Sequence, residues 1–403
     1  MAGMLLQDWA PLVTLPPAST LFGWPPHLVR QHDDESGTFY WQMHEDLAGT
    51  ETQWKGVVSW MMGIIGARLL LREEGYRWIA PVSAFRANAR HPARLTNWLA
   101  FEPGAILTRG HAAIRENGHP RTTVPTLRPD YLAVRPRPAG GVRSWASAEA
   151  KGTKDALHTP RNSKCREEWR RQAWNLIVTF QGTGIRVPRR IVAATRVNPN
   201  APNPGPRSLH VRGWNSADPD PPEPPAQLAT EIAAAHLFGL CMNLGLPENA
   251  QAIAAGVEAR SRAASAERRA GRKDLDKRGA ESRGDESDDA EALASAELQA
   301  HAVPATGDGE EALRVRRTLV SSLGSAEVTI EAPTVRLIEQ LRSGNVEEAS
   351  AALDEADRLL DELLAATPAN PREGTLLPDG LRVRFISSNP EVNERDPRRD
   401  VRK

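Results

Sequence analysis

Between Trp54 and Leu69 the apolar residues Trp54, Val57, Val58, Met61, Met62, Ile65 and Leu69 recur at helical spacing, with Gly63, Gly66 and Ala67 leaving room for close backbone approach. The pattern predicts a helix packed deep in a core and ended by Gly75-Tyr76. Only the twelve residues Gly56 to Ala67 are uncharged before Arg68, too short a run to span a bilayer. A strand from Arg77 to Ser83 follows. Further on, Tyr131 to Arg135 is β-branched or aromatic at its centre. Pro136 to Gly141 can only turn, and residues 142–150 return as a second strand, antiparallel to the first. Trp169, Ala173, Leu176, Ile177 and Phe180 form an apolar stripe that predicts a helix from Ser163 to Gln181, stopped by Gly182.

Arg190 to Val197 and Ser208 to Trp214 alternate like strands and extend the same sheet. A proline-rich loop, Asp218 to Pro225, leads into a helix from about Ala226 to Leu244, whose Ile232, Ala235, His236, Gly239 and Leu240 share a face. His236 on that face reads as a packed, hydrogen-bonded side chain rather than a ligand. His32-Asp33-Asp34 reads as a solvated loop, because no further His or Cys stands at ligand spacing around it. The alternation of helices and strands predicts an α/β core over residues 52–246, preceded by an N-terminal extension, 1–51.

From about Ala254 to Glu311 the chain turns to Ala, Arg, Asp, Glu, Ser and Gly, basic first and acidic afterwards. Such a composition predicts a solvated helix, a flexible linker or both, set here at 247–312. Residues 313–390 read as a small α+β C-terminal unit. It has a strand within Leu319 to Ala332, a helix from Thr334 to Arg342, and a longer helix capped by Asn345 and running through Ala366. Val346, Ala349, Leu353, Ala356, Leu360 and Leu363 form a heptad seam on that helix, which packs on its own unit or, alternatively, serves a homodimer or a protein partner. Pro378-Asp379-Gly380 turns into a last strand, Leu381 to Ile386, before a disordered tail, 391–403.

Composition changes this picture in two places. The 403 residues carry 51 Lys/Arg and 51 Asp/Glu, yet Lys151 to Arg190 holds ten basic residues against three acidic ones. A local positive excess suits a phosphate backbone, with Lys154, Arg161, Lys164, Arg166, Arg170 and Arg171 the candidate nucleic-acid contacts. Cys165 and Cys241 are the only cysteines, too few for a disulfide framework or a cysteine zinc site. Without a basic region leading into an apolar run at the start, a cytoplasmic protein that does not enter a membrane is expected.

The hairpin carries the chemistry. Alternation along the second strand puts Glu149 and Lys151 on one face and Ala150 on the other, and Asp130 opens the partner strand nineteen residues before Glu149. Two carboxylates suit a hard divalent cation such as Mg²⁺, with Mn²⁺ as a substitute. The cation stabilises developing charge, while a lysine beside it orients or deprotonates a water and holds a negative phosphorane.

Pro129-Asp130 with Glu149-Ala150-Lys151 resembles the PD-(D/E)xK, restriction endonuclease-like nuclease superfamily. The resemblance covers about half of the chain. It implies a central mixed sheet flanked by helices, metal bound at Asp130, Glu149 and Ala150, and Lys151 acting on the attacking water. A buried first helix followed by a strand is how such nucleases commonly begin, and many place a metal-linked Glu on that helix, for which Glu73 and Glu74 are the acids here. In a RecB-like branch, a Gln one helix after the Glu-x-Lys joins the site, which implies a role for Gln172; the Tyr four residues on in that branch is Leu176 here. The implied function is hydrolysis of DNA, in preference to RNA, by a Mg²⁺-dependent endonuclease, with defence against foreign DNA by analogy. The alternative is a catalytically degenerate member that binds nucleic acid or a protein partner.

Overall fold

The computed structural model describes residues 29–33, 39–43, 52–82, 99–100, 115–116, 119–120, 129–138, 141–153, 169, 172–173, 177–180, 183–197, 209–217, 223–272, 285–304, 311–318, 325–367 and 374–386. Helix α1 runs over Thr52–Glu73. It is followed by strands β1, Trp78–Pro81, β2, Tyr131–Val134, β3, Trp145–Thr153, β4, Arg189–Val197, and β5, Leu209–Ala217. These five strands form one mixed sheet in the order β5-β4-β3-β2-β1, with β3 and β4 parallel and the other neighbours antiparallel. Helix α2, Ala226–Leu244, has the bounds its sequence predicts and ends on Gly245 in the left-handed conformation, φ 74°.

The period of two along β3 assigns its faces. Ala146, Ala148 and Ala150 pack with Ile64, Ala67 and Leu71 of α1. Trp145, with Leu132, Val134 and Trp78, packs with Leu228, Ile232 and Leu240 of α2. The sheet is therefore sandwiched between helices, an α/β architecture as the sequence predicts.

Small residues bring α1 very close to the sheet. A Cβ on Gly152 would lie 1.5 Å from the Ser59 carbonyl oxygen, and one on Gly63 would lie 2.5 Å from the Gly152 nitrogen. Both glycines are needed because backbone meets backbone there. Gly75, at φ 84°, ends the first helix where the sequence placed its stop.

Residues Ile177–Phe180 depart from expectation. They are a strand, paired antiparallel with Thr183–Arg186 and with Leu99–Ala100, not the end of a helix over 163–181. The run Ile-Val-Thr-Phe is β-branched and aromatic, and two strands are in place to pair with it, so tertiary pairing overrides a three-to-four apolar spacing. Trp169, Gln172 and Ala173 are helical, so helix remains earlier in the segment.

The remaining helices are α3, Pro247–Arg272, α4, Asp285–His301, α5, Ala332–Leu341, and α6, Val346–Ala366. A second sheet of β6, Ala302–Pro304, β7, Glu311–Thr318, β8, Ser325–Ile330, β9, Thr375–Leu376, and β10, Leu381–Ile386, has the order β6-β7-β8-β10-β9. Strand β7 was not foreseen, because Leu313 and Val315 are set among arginines in a charged stretch. Helix α3 is helical, as one of the expectations had it, but its face of Ala250, Ile253, Val257 and Arg260 is buried. One apolar core runs from Trp78 and Trp145 through α2 and α3 to Ile330, Leu353 and Leu381. The seam of α6 lies in that core at Ala349, Leu353, Ala356 and Leu360, and Asn345 caps the helix by accepting from the Glu347 and Glu348 amides.

Ion pairs tie α6 and the last turn to the first sheet. Asp357, buried on α6, accepts from Arg77 Nη1 at 2.9 Å, Trp78 Nε1 at 3.0 Å and Arg143 Nη1 at 2.6 Å. Asp379 accepts from Arg72 at 2.7 Å and lies 3.2 Å from Nε2 of His236, whose Nδ1 meets the Ile79 backbone. His236 is thus a packed, hydrogen-bonded side chain, as its sequence position predicts. Cys241 is a buried free thiol whose pKa burial pushes up; Cys165 lies outside the described residues.

Candidate active site

The register of β2 and β3 pairs Tyr131 with Ala148, so the next step outward sets Asp130 across from Glu149. Buried Pro129 precedes Asp130, which is pinned on both sides: its amide donates to the Ala148 carbonyl at 3.0 Å and its carbonyl accepts from Val82 at 2.7 Å. Its carboxylate remains exposed and accepts the Ala150 amide at 2.8 Å. The hairpin backbone thus fixes the first acid before any side chain contributes.

Glu149 is 1% exposed, and its Oε1 lies 2.5 Å from Nζ of Lys151, which is on the same face of β3 and partly exposed. Ala150 faces the other way, against α1. Burial first, and the Asp130 charge after it, push the Glu149 carboxyl up to about 9 against the opposing effect of Lys151. Asp130 is also close enough to hydrogen-bond a protonated Glu149. Two ionised carboxylates cannot do so, and Glu149 Oε2 is buried without a hydrogen-bond partner. A proton or a cation resolves that frustration, so the donor set fits a hard divalent metal held by Asp130 and Glu149. Among the described residues no group of three or more His, Cys, Asp and Glu gathers as a metal cage.

The rest of the predicted set divides. Gln172 is half-buried in a helical segment that rests on the Glu149 face, where the neighbouring Ala173 carbonyl accepts from Ser147 Oγ at 3.0 Å. Ser147 was not singled out in the sequence; it stands two residues before Glu149 on that face, and the period of two could have found it. Glu73 and Glu74 are not brought to the hairpin acids. They end α1 at the other end of the sheet, where Glu74 pairs with Arg189 beside Arg135. Arg189 stands opposite Ala146 in the parallel pairing, three residues before Glu149. The first helix instead approaches the site through Ser59 and Gly63, which abut the Lys151–Gly152 backbone. Lys154, Arg161, Lys164, Arg166, Arg170 and Arg171 lie outside the described residues, as does Leu176.

No helix of the described residues is long and apolar enough to cross a membrane. No family model matches the chain, and neither does any curated protein or solved structure.

Proposed function

We propose that this chain is a Mg²⁺-dependent nuclease of the PD-(D/E)xK type that hydrolyses phosphodiester bonds of DNA. The reading rests on the buried Glu149 carboxyl, which has an unpartnered Oε2, an adjoining Asp130 and a lysine 2.5 Å away. A carboxylate buried against a second carboxylate is destabilised unless a cation joins them, a cost that a merely structural hairpin has no need to carry. The order of helix, three antiparallel strands and a fourth strand parallel to the third supports the restriction endonuclease-like assignment.

Asp130 and Glu149 would hold the Mg²⁺, which would supply Lewis-acid stabilisation of the phosphate charge. Lys151 Nζ, held beside Glu149, orients the attacking water and neutralises the non-bridging oxygens as the phosphorus becomes five-coordinate. Water adds its oxygen to phosphorus and gives up a proton to the surrounding solvent, the bond to the leaving sugar oxygen breaks, and that oxygen takes up a proton from solvent. Gln172, on the same face, positions the water or the phosphate. The basic segment after β3 supplies phosphate contacts. A role in defence against foreign DNA rests on analogy with other members.

One observation favours a second reading. The close Lys151–Glu149 pair is also what a degenerate, non-cutting binder would keep as a salt bridge. Wild-type and Glu149→Ala proteins, incubated with plasmid, linear duplex, single-stranded DNA and RNA in Mg²⁺, Mn²⁺ or EDTA, separate the two. Cleavage that requires both metal and Glu149 supports the nuclease. Salt-dependent binding that EDTA leaves unchanged, without cleavage, supports the binder.

A further inference from the structure

Ser147 is fully buried in the middle of β3, a place that apolar and β-branched side chains usually take. Its backbone belongs to the sheet, paired with Leu132 of β2 on one side and with Arg190 of β4 on the other. The hydroxyl instead bonds outward, to another layer, and donates to the Ala173 carbonyl at 3.0 Å. That acceptor is a helix end. Ala173 is helical and strand Ile177–Phe180 begins four residues on, so its carbonyl belongs to the last turn of the helix, where carbonyls have no intrahelical donor. Each group supplies what the other lacks, and neither residue is open to solvent.

The bond joins two parts of the candidate site. Ser147 stands two residues before Glu149 on one face of β3, about 7 Å along the strand, and Lys151 follows on that face. Ala173 directly follows Gln172, which is half-buried. Adding the bonds between them puts the Gln172 Cα no more than about 10 Å from the Ser147 hydroxyl. Resting on the nuclease reading, we propose that Ser147 is a positioning residue: its hydroxyl pins the end of the Gln172 helix to the Glu149 face and so sets where the Gln172 amide meets the water or the phosphate. A group that orients a reactant has to be held to within about 0.5 Å, and the last turn of a helix frays unless something ties it. Ser147 supplies that tie from the strand that carries the acid.

The test is a double-mutant cycle on the full-length protein. Mg²⁺-dependent kcat and KM are measured on labelled duplex and single-stranded oligonucleotides for wild type, Ser147→Ala, Gln172→Ala and the double variant. Ser147→Ala should lower kcat by about ten-fold or more with KM little changed, and the double variant should be no slower than Gln172→Ala, because Ser147 acts through Gln172. In metal-free protein, amide hydrogen exchange around Gln172 and Ala173 should speed up in Ser147→Ala while β2 and β3 keep their protection. If Ser147→Ala melts below the assay temperature, Ser147→Cys, close in shape and a weaker donor, carries the same cycle. Losses that multiply in the double variant, a Ser147→Ala or a Gln172→Ala protein as fast as wild type, or unchanged exchange overturn the positioning role while leaving the nuclease in place. Failure of the wild type to cut either substrate in a metal- and Glu149-dependent way overturns the nuclease reading, and this inference with it.

Discussion

Replacing Glu149 with Gln should stabilise the metal-free protein at neutral pH while abolishing turnover. The carboxyl is pushed up to about 9 from an ordinary 4.5, first by burial and then by the Asp130 charge. Between those values the folded state holds a proton that the unfolded state has released, so the contribution is full below the unfolded value and is lost as pH rises through the folded one. The slope is on the order of 1.4 kcal/mol per pH unit. From about pH 5.5 to about pH 7.5 the group removes on the order of 3 kcal/mol of wild-type stability. Glutamine keeps the shape of the neutral acid and does not titrate, so its advantage should widen across that interval. Saturating Mg²⁺ should add about 2.7 kcal/mol to the wild type at a hundred times its dissociation constant, and little to the variant. Urea unfolding followed by far-UV circular dichroism, at several pH values with Mg²⁺ or EDTA, measures both effects. Parallel pH profiles for the two proteins, or equal stabilisation of both by Mg²⁺, would refute the reasoning.

Lys151→Met keeps the stem and removes the charge beside Glu149; turnover should fall by about a hundred-fold or more with the melting temperature little changed, and a loss below about ten-fold in single-turnover cleavage would count against a role for the amine. Gly152→Ala drives a Cβ to within 1.5 Å of the Ser59 carbonyl oxygen, where only backbone can yield. It should cost about 3 kcal/mol or more in urea unfolding and disturb cleavage with it, and a neutral outcome would show that α1 shifts freely. Asp357→Ala removes the buried carboxylate from Arg77 and Arg143, each 3% exposed, which keep only the outer carboxylates of Asp361 and Asp354, and leaves Trp78 Nε1 without its acceptor. The expected loss is about 2–3 kcal/mol, and the same denaturation experiment decides it.

The chain's local patterns determine much of this protein without help. The spacing from Trp54 to Leu69 predicts α1, and Gly75 ends it because only a residue free of Cβ takes a positive φ cheaply. The Pro/Gly turn between Tyr131 and Trp145 predicts the hairpin, and alternation puts Glu149 and Lys151 on one face with Ala150 on the other. Asn345 and the bounds of Ala226–Leu244 follow from capping and periodicity in the same way. These features depend on neighbours a few residues apart, which is the range over which sequence specifies structure directly.

Tertiary structure decides what depends on distant partners. Ile177–Phe180 has an apolar spacing that fits a helix, and becomes a strand because Thr183–Arg186 and Leu99–Ala100 pair with it. Glu74 directly follows the helix on which a metal-linked acid is expected, but the direction in which α1 crosses the sheet carries it to Arg189 and brings Ser59 and Gly63 to Lys151 instead. Asp357 reads in the sequence as one more acid on a charged helix; three donors from the first sheet, more than two hundred positions away, bury it. Glu149 could be picked out as an acid in a motif, yet its raised pKa comes from burial and from Asp130 across the strand. Periodicity assigns a residue to a face, but only the packed molecule sets what covers that face, and the energy of a charged side chain depends chiefly on that cover.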